Sequence, residues 1–298
     1  MHVQPPRLTD APDGSGPLVL IVGLTGFLDA GGAPTSAAEH LLEHLDHRLL
    51  ATFDSDALLD HRTHRPVMTY VRDHYASAVM PEIRLYRVSD LHGRAFLLLV
   101  GPEPDFAWNA FIESVTQLVD ELGVALVVGL GAIPWPAPHT RPLDVSAHAT
   151  DPQRVAGYPS WVSSIQVPGH VGGLLELRLG ESGHEAMGFA VHVPQYLAQY
   201  GYPQAAVRLL EAVGEATGLS LPIASLAEAA KVVESEIVEH LSRSPELAEG
   251  VHMLEGRYDA AHDGGTLAGL TVDGELPSGD DIAASLQRYL AEQASSDE

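Results

Sequence analysis

Leu18-Val19-Leu20-Ile21-Val22-Gly23, continuing into Leu24-Thr25-Gly26-Phe27-Leu28-Asp29-Ala30-Gly31-Gly32, decides the fold. An unbroken apolar run of this length reads as a strand buried on both faces, because a strand with one wet face would alternate. The glycine-rich stretch behind it reads as a connection. From Thr35 to Leu50, Ala38, Leu41, Leu42 and Leu45 recur at helical spacing, with Pro34 suited to a first helical turn. Strand, loop and helix form the opening unit.

The unit recurs. Ala95-Phe96-Leu97-Leu98-Leu99-Val100 is a second buried strand, and Trp108 to Leu122 a helix whose Phe111, Val115, Leu118 and Leu122 share one face. A strand Ala125–Val128 leads into a proline-rich loop from Gly129 to Pro142. A short helix after Gly172-Gly173 to Leu179, a strand Gly188–Val193 and a helix Gln204–Ala216 complete the pattern. Alternating buried strands and amphipathic helices predict an α/β protein, a three-layer core around a mostly parallel sheet spanning residues 17–220. Leu226, Ala230, Val233, Ile237 and Leu241 continue at helical spacing, so residues 221–258 are expected as a small helical extension. Residues 1–16 are expected as a flexible lead-in. Residues 259–298, with nine acids against Arg288, are expected as a partly disordered acidic tail holding one last helix near Ile282 to Tyr289.

Composition narrows the chemistry. With 40 acidic and 16 basic residues in 298, the net charge of −24 opposes phosphate backbones and anionic lipid, so nucleic acid and membranes are not expected partners. The longest nearly apolar run, Val124 to Ala137, contains Pro134 and Pro136, and no signal-peptide pattern opens the chain, which points to the cytoplasm. No cysteine is present, so thiolate catalysis, disulfides and cysteine-bound zinc are excluded. Lys231 is the single lysine. Neither G-x-S-x-G nor G-x-x-x-x-G-K-[ST] occurs.

Three loci carry candidate chemistry. The loop holding Gly26, Asp29 and Gly31 lies between a buried strand and a helix, where backbone N–H groups receive anions, although the same glycines suit a tight turn. His40-Leu41-Leu42-Glu43-His44 fits the H-x-x-E-H zinc pattern, but the leucines claim the core side and leave the histidines toward solvent, so no metal is assigned. Pro134-Trp135-Pro136-Ala137-Pro138-His139-Thr140-Arg141-Pro142 follows a strand, at the sheet edge where open α/β folds collect ligands. Its prolines would present His139 and Arg141 with little loss of entropy, either to a carboxylate or to an internal ion pair, for which Glu103 in Gly101-Pro102-Glu103-Pro104 is the expected partner.

Taken in order, Gly26-Phe27-x-Asp29-Ala30-Gly31, Gly101-Pro102-Glu103-Pro104, Leu130-Gly131-Ala132, Pro138-His139-Thr140-Arg141-Pro142 and Val193-Pro194-x-Tyr196 resemble the PAC2 family, relatives of proteasome assembly chaperone 2 in archaea and actinobacteria. Pro277-Ser278-Gly279-Asp280 resembles the actinobacterial branch. The resemblance covers residues 17 to 258. It implies a phosphorylase/hydrolase-like core, a homotrimer and a protein-interaction or assembly-chaperone role with proteasome subunits among the candidate partners. It supplies no reaction, no catalytic residue and no cofactor. The alternatives it leaves are an ATP-dependent carboxylate-amine ligase and a small-molecule sensor. Gly26, Asp29, Gly31, Glu103, His139, Thr140, Arg141 and Tyr196 are the expected ligand- or partner-binding residues. Gln195 departs from the histidine common before that tyrosine, and Ser295-Ser296-Asp297-Glu298 lacks the hydrophobic-Tyr-any ending used by such chaperones.

Overall fold

The computed structural model describes residues 17–161 and 164–263. The opening apolar run forms β1 (Leu18–Thr25), and a 3₁₀ turn at Ala30–Gly32 leads into α1 (Ala33–His44). There follow β2 (His47–Thr52), α2 (Ser55–Leu58), β3 (Val67–Val71), β4 (His74–Val79), β5 (Arg84–Ser89), β6 (Ala95–Pro102), α3 (Trp108–Leu122), β7 (Val124–Trp135) and β8 (Val145–Ala149). The chain continues with α4 (Val171–Glu181), β9 (Ala186–Pro194), α5 (Pro203–Thr217), α6 (Ala224–Arg243) and α7 (Pro245–Asp263).

Seven strands pair in the order β2-β5-β6-β1-β7-β9-β8. The central four, β6-β1-β7-β9, are parallel, while β2, β5 and β8 run antiparallel to their neighbours at the edges. The expected mostly parallel, three-layer α/β core is therefore present. Alternation along β1 explains why the run had to be apolar throughout. Val19 and Ile21 pack with Leu41 of α1 and Leu209 and Val213 of α5, whereas Leu20 and Val22 pack with Phe111 and Val115 of α3 and Leu175 of α4. Each such side chain, fully buried, contributes about 2 kcal/mol of transfer free energy.

Four departures from the sequence reading have physical causes. The helix expected to run to Leu50 ends at His44, because Leu45 turns to an extended conformation and residues 47–52 add an edge strand that buries only Leu50 and Ala51. The strand expected at 125–128 runs on to Trp135, so the proline-rich loop starts later. Proline is tolerated there because Ala132 N–H donates to Leu28 O on the β1 side, at 2.8 Å. Pro134, two residues on, points its missing N–H to that same side, beyond the end of the β1 ladder. The β3–β4 hairpin and strands β2, β5 and β8 were not foreseen, being too mixed in polarity to show a buried run. Finally, α7 continues past residue 258 to Asp263, so Asp259 belongs to a helix and not to a tail. The lead-in, the remainder of the acidic tail and the helix expected near Ile282 lie outside the described residues.

Candidate functional site

The parallel strands end at one edge of the sheet, and the loops that leave them there carry the eight expected ligand- or partner-binding residues. Gly26, Asp29 and Gly31 follow β1, Glu103 follows β6, His139, Thr140 and Arg141 follow β7, and Tyr196 follows β9. The fold divides them into a seam, a cleft and a clamp.

Asp29 and Gly31 make the seam. Asp29 Oδ2 accepts from Thr35 Oγ1 at 2.5 Å and Oδ1 from Thr35 N at 3.3 Å, which ties the loop to the start of α1. Burial holds the Asp29 carboxyl above the usual carboxylate range despite those bonds. Gly31 N donates to Ala198 O (2.7 Å), and Tyr202 N donates to Gly31 O (2.9 Å), stitching this loop to the one after β9.

Glu103 lines the cleft, a small solvent-open space of about 60 Å³ between the ends of β1 and β7 and the start of α4, and Gly26 adjoins it through Glu103. A Cβ at Gly26 would lie 2.8 Å from Glu103 Oε2, so only glycine leaves room for that carboxylate. Glu103 Oε1 accepts from Val171 N at 2.5 Å, at the first turn of α4. The place that an anionic ligand would take at this helix end is thus held by the protein's own carboxylate. His170 Nδ1 accepts from Gly173 N (3.2 Å), a role that needs a neutral ring, and burial lowers its pKa. Across the cleft His148 Nδ1 meets Glu176 Oε2 at 2.7 Å. Phe27, half exposed, overhangs the mouth together with Leu24 and Leu28. No lysine or arginine lines it.

His139, Thr140, Arg141 and Tyr196 form the clamp. The Tyr196 hydroxyl accepts His139 N–H at 2.8 Å and donates to His139 Nδ1 at 2.6 Å. Burial pushes the phenol up to about 12 and the imidazole down, so both are neutral and the bond is complementary. Thr140 Oγ1 donates to Glu255 Oε1 at 2.5 Å. Arg141 Nε and Nη2 donate to the two carboxylate oxygens of Asp259, each at 2.7 Å, and Nη1 reaches Glu255 Oε1 at 3.3 Å. Those hydrogen bonds hold Arg141 above and Asp259 below their usual pKa values. Arg141 therefore pairs with α7 and not with Glu103, which lies in the cleft. The loop closes on the C-terminal helix, and Tyr258 adds a bond to Pro142 O at 3.0 Å.

Beneath the clamp lies a cage of rings. His192, fully buried on β9, stacks on Trp135 with centroids 4.1 Å apart and meets Trp161 edge-on at 4.8 Å. Its Nε2 shares a 2.8 Å hydrogen bond with Ser146 Oγ, and burial pushes its pKa down to about 3. His262 of α7 stacks on Tyr258 at 3.8 Å and faces Asp144, 3.3 Å away. Burial disfavours the His262 cation, but the Tyr258 carbonyl and Asp144 outweigh it and raise the pKa.

The zinc-like pattern is used for packing. His40 is buried, not turned to solvent, and its Nε2 donates to Pro222 O at 2.9 Å, while His44 Nδ1 donates to His40 O and its Nε2 meets Ser225 Oγ at 3.2 Å. These bonds dock the start of α6. Among the described residues no group of three His, Asp or Glu side chains could hold a metal ion, and no helix is long and apolar enough to cross a membrane. Sequence reasoning missed Glu255, inside the expected helical extension, and Asp259, the first residue of the expected tail, as well as Glu176 on the expected short helix and His148 and His170, which lie in segments without clear periodicity.

An α/β sheet with these loop motifs at its edge defines a family, and residues 23–241 match the PAC2 family; the chain belongs to it. Among solved structures it is similar to a Mycobacterium tuberculosis protein of unknown function, at 45% identity over 86% of this chain and 90% of that one, with a TM-score of 0.82. A Corynebacterium glutamicum protein of unknown function is 35% identical over 87% of this chain and 99% of its own, with a TM-score of 0.82. A Mycobacterium tuberculosis proteasome-assembly chaperone homologue is 28% identical over 78% of this chain and 100% of its own, with a TM-score of 0.73. No curated protein matches the sequence.

Proposed function

We propose that this chain is a protein-interaction factor of the PAC2 type, working in the cytoplasm as a homo-oligomer, with proteasome subunits as its partner class. The observation that carries the reading is the match to the proteasome-assembly chaperone homologue along that protein's entire length. Geometry supports it. The one arginine of the proline-rich loop, which an enzyme handling carboxylates or phosphates would need free, is spent on holding α7. Lys231, exposed on α6, pairs with Glu228 at 2.7 Å and stands apart from the cleft lining. A phosphate clamp of the kind ATP-dependent ligases use combines basic side chains with acidic metal ligands, and the cleft offers carboxylates without the bases.

One observation favours a second reading. Glu103, Glu176, His148 and His170 converge on a space beside the apolar Leu24, Phe27 and Leu28, which suits a small cationic or hydrogen-bond-donating ligand with an apolar body and hence a sensor. Reconstitution separates the two. Purified full-length chain is mixed with proteasome α subunits of the source species and followed by native mass spectrometry, with and without ATP. A defined complex formed without ATP is expected. Nucleotide or metabolite retention with no subunit binding would replace the proposal with the sensor or ligase reading.

A further inference from the structure

The β3–β4 hairpin has no core of its own. Every residue of both strands is exposed, and Val67, Met68, Tyr70, Val71, Tyr75, Val79 and the following Met80 present apolar surface, Val67 being 72% and Tyr75 68% exposed. The strands pair only with each other, and the Tyr70 and Tyr75 rings meet edge-on at 5.1 Å. An isolated two-stranded hairpin is marginal in water, and solvent gives no reason to keep tyrosine, methionine and valine on both of its faces. Its root, by contrast, is fastened to the body. Asp60 N donates to Asp105 Oδ2 at 2.6 Å, His64 Nε2 lies 3.3 Å from the same oxygen, and Phe53 N donates to Ile83 O at 2.9 Å. The arm is held at a fixed point on the edge-strand side of the sheet and projects from it.

Charge says what covers it. In a chain of net charge −24, residues 61–80 carry Arg62, Arg65 and Arg72 against the single acid Asp73; Arg62 is paired with Asp60 at the root (2.7 Å), which leaves Arg65 and Arg72 to make the arm locally cationic on an acidic protein. The matching surface is present on the chain itself. Helices α6 and α7 expose Glu234, Glu236 and Glu249, together with Glu228 and Glu239, which pair with Lys231 and Arg243, among the exposed apolar side chains Val232, Val238, Leu247 and Met253. We infer that the hairpin is an assembly arm that docks on the acidic α6–α7 face of a second copy of this chain. Because arm and receptor are different surfaces, the contact is head-to-tail, and repetition closes a ring when the rotation allows it. Aromatic and methionine side chains with arginine are also the residues enriched at the centres of protein interfaces. The inference rests on the homo-oligomer part of the proposed function and identifies the contact that makes it.

Light scattering on full-length protein after gel filtration tests the idea with three chains: the native one, Tyr70→Ser/Tyr75→Ser/Val79→Ser, and Arg65→Glu/Arg72→Glu. The native chain is expected at a multiple of 31.7 kDa. The serine variant is expected at the mass of one chain with an unchanged circular dichroism spectrum, since the hairpin contributes nothing to the core. The glutamate variant is expected to dissociate at least tenfold more readily, and adding Glu236→Arg/Glu239→Arg is expected to restore assembly. A native oligomer that survives the serine substitutions overturns the arm while leaving oligomerisation standing. A native monomer overturns both. Loss of assembly without rescue by the arginine pair overturns the assignment to α6–α7.

Discussion

Replacing His192 with glutamine should flatten the acid limb of the protein's stability curve. His192 is fully buried between Trp135 and Trp161, and burial pushes its pKa down to about 3, so the folded chain keeps it neutral. In the unfolded chain the imidazole titrates near its ordinary value of 6.5. Between those values the unfolded state binds the extra proton, which makes stability fall as pH falls. The contribution is present in full above the unfolded pKa, drops by about 1.4 kcal/mol per pH unit below it, and by pH 4.5 has removed roughly 2.5 kcal/mol. Glutamine can still bond to Ser146 Oγ but cannot titrate. Urea unfolding followed by tryptophan fluorescence, at intervals from pH 7.5 to 4.5, gives the difference between the two proteins. That difference should move in favour of the variant by about 2.5 kcal/mol over this range. Two stability curves that stay parallel would show that His192 is protonated in the folded cage, and the reading of the cage as a dry, neutral stack would be wrong.

The remaining predictions concern the body and the clamp. Gly101→Ala places a Cβ against the Glu82 carbonyl at a φ of 133°, a region closed to side chains, and should destabilise the fold by about 2 kcal/mol or more, read as a drop in thermal midpoint. Arg141→Ala removes the two-point bond to Asp259 and the contact with Glu255, and should make the α6–α7 segment the first site of limited proteolysis while the thermal midpoint of the sheet core barely moves. An unchanged cleavage pattern would show that Tyr258 and the ring cage hold α7 without the arginine.

The central sheet was legible because its strands are buried on both faces, and a run such as Leu18–Val22 or Ala95–Val100 has no other reading. The edges were not. Arg84-Leu85-Tyr86-Arg87-Val88-Ser89 and His47–Thr52 mix charge with apolar residues because one side of each lies near solvent, and the hairpin is exposed throughout. Gly129 and Pro134 concealed the length of β7, yet Gly129 still pairs with Val22 of β1 and Gly188 of β9, and Pro134 falls beyond the end of the β1 ladder, so neither ends the strand. At the site, chain order puts the eight expected residues on loops at one edge of the sheet, but it does not say which partners they meet. Arg141 finds Asp259, more than a hundred residues away in sequence. The acidic composition that made residues from 259 onward read as a solvated tail hid the carboxylate that closes the clamp. A resemblance carried by loop motifs identified the family, whereas the clamp and the cleft needed coordinates.

Affinity purification from the source cell at native expression, with mass analysis of every protein and small molecule retained, tests the central claim most directly. The account predicts stoichiometric recovery of proteasome subunits together with further copies of the chain itself. A bound nucleotide or metabolite recovered without any protein partner would contradict it and move the functional centre to the cleft of Glu103, His148, His170 and Glu176.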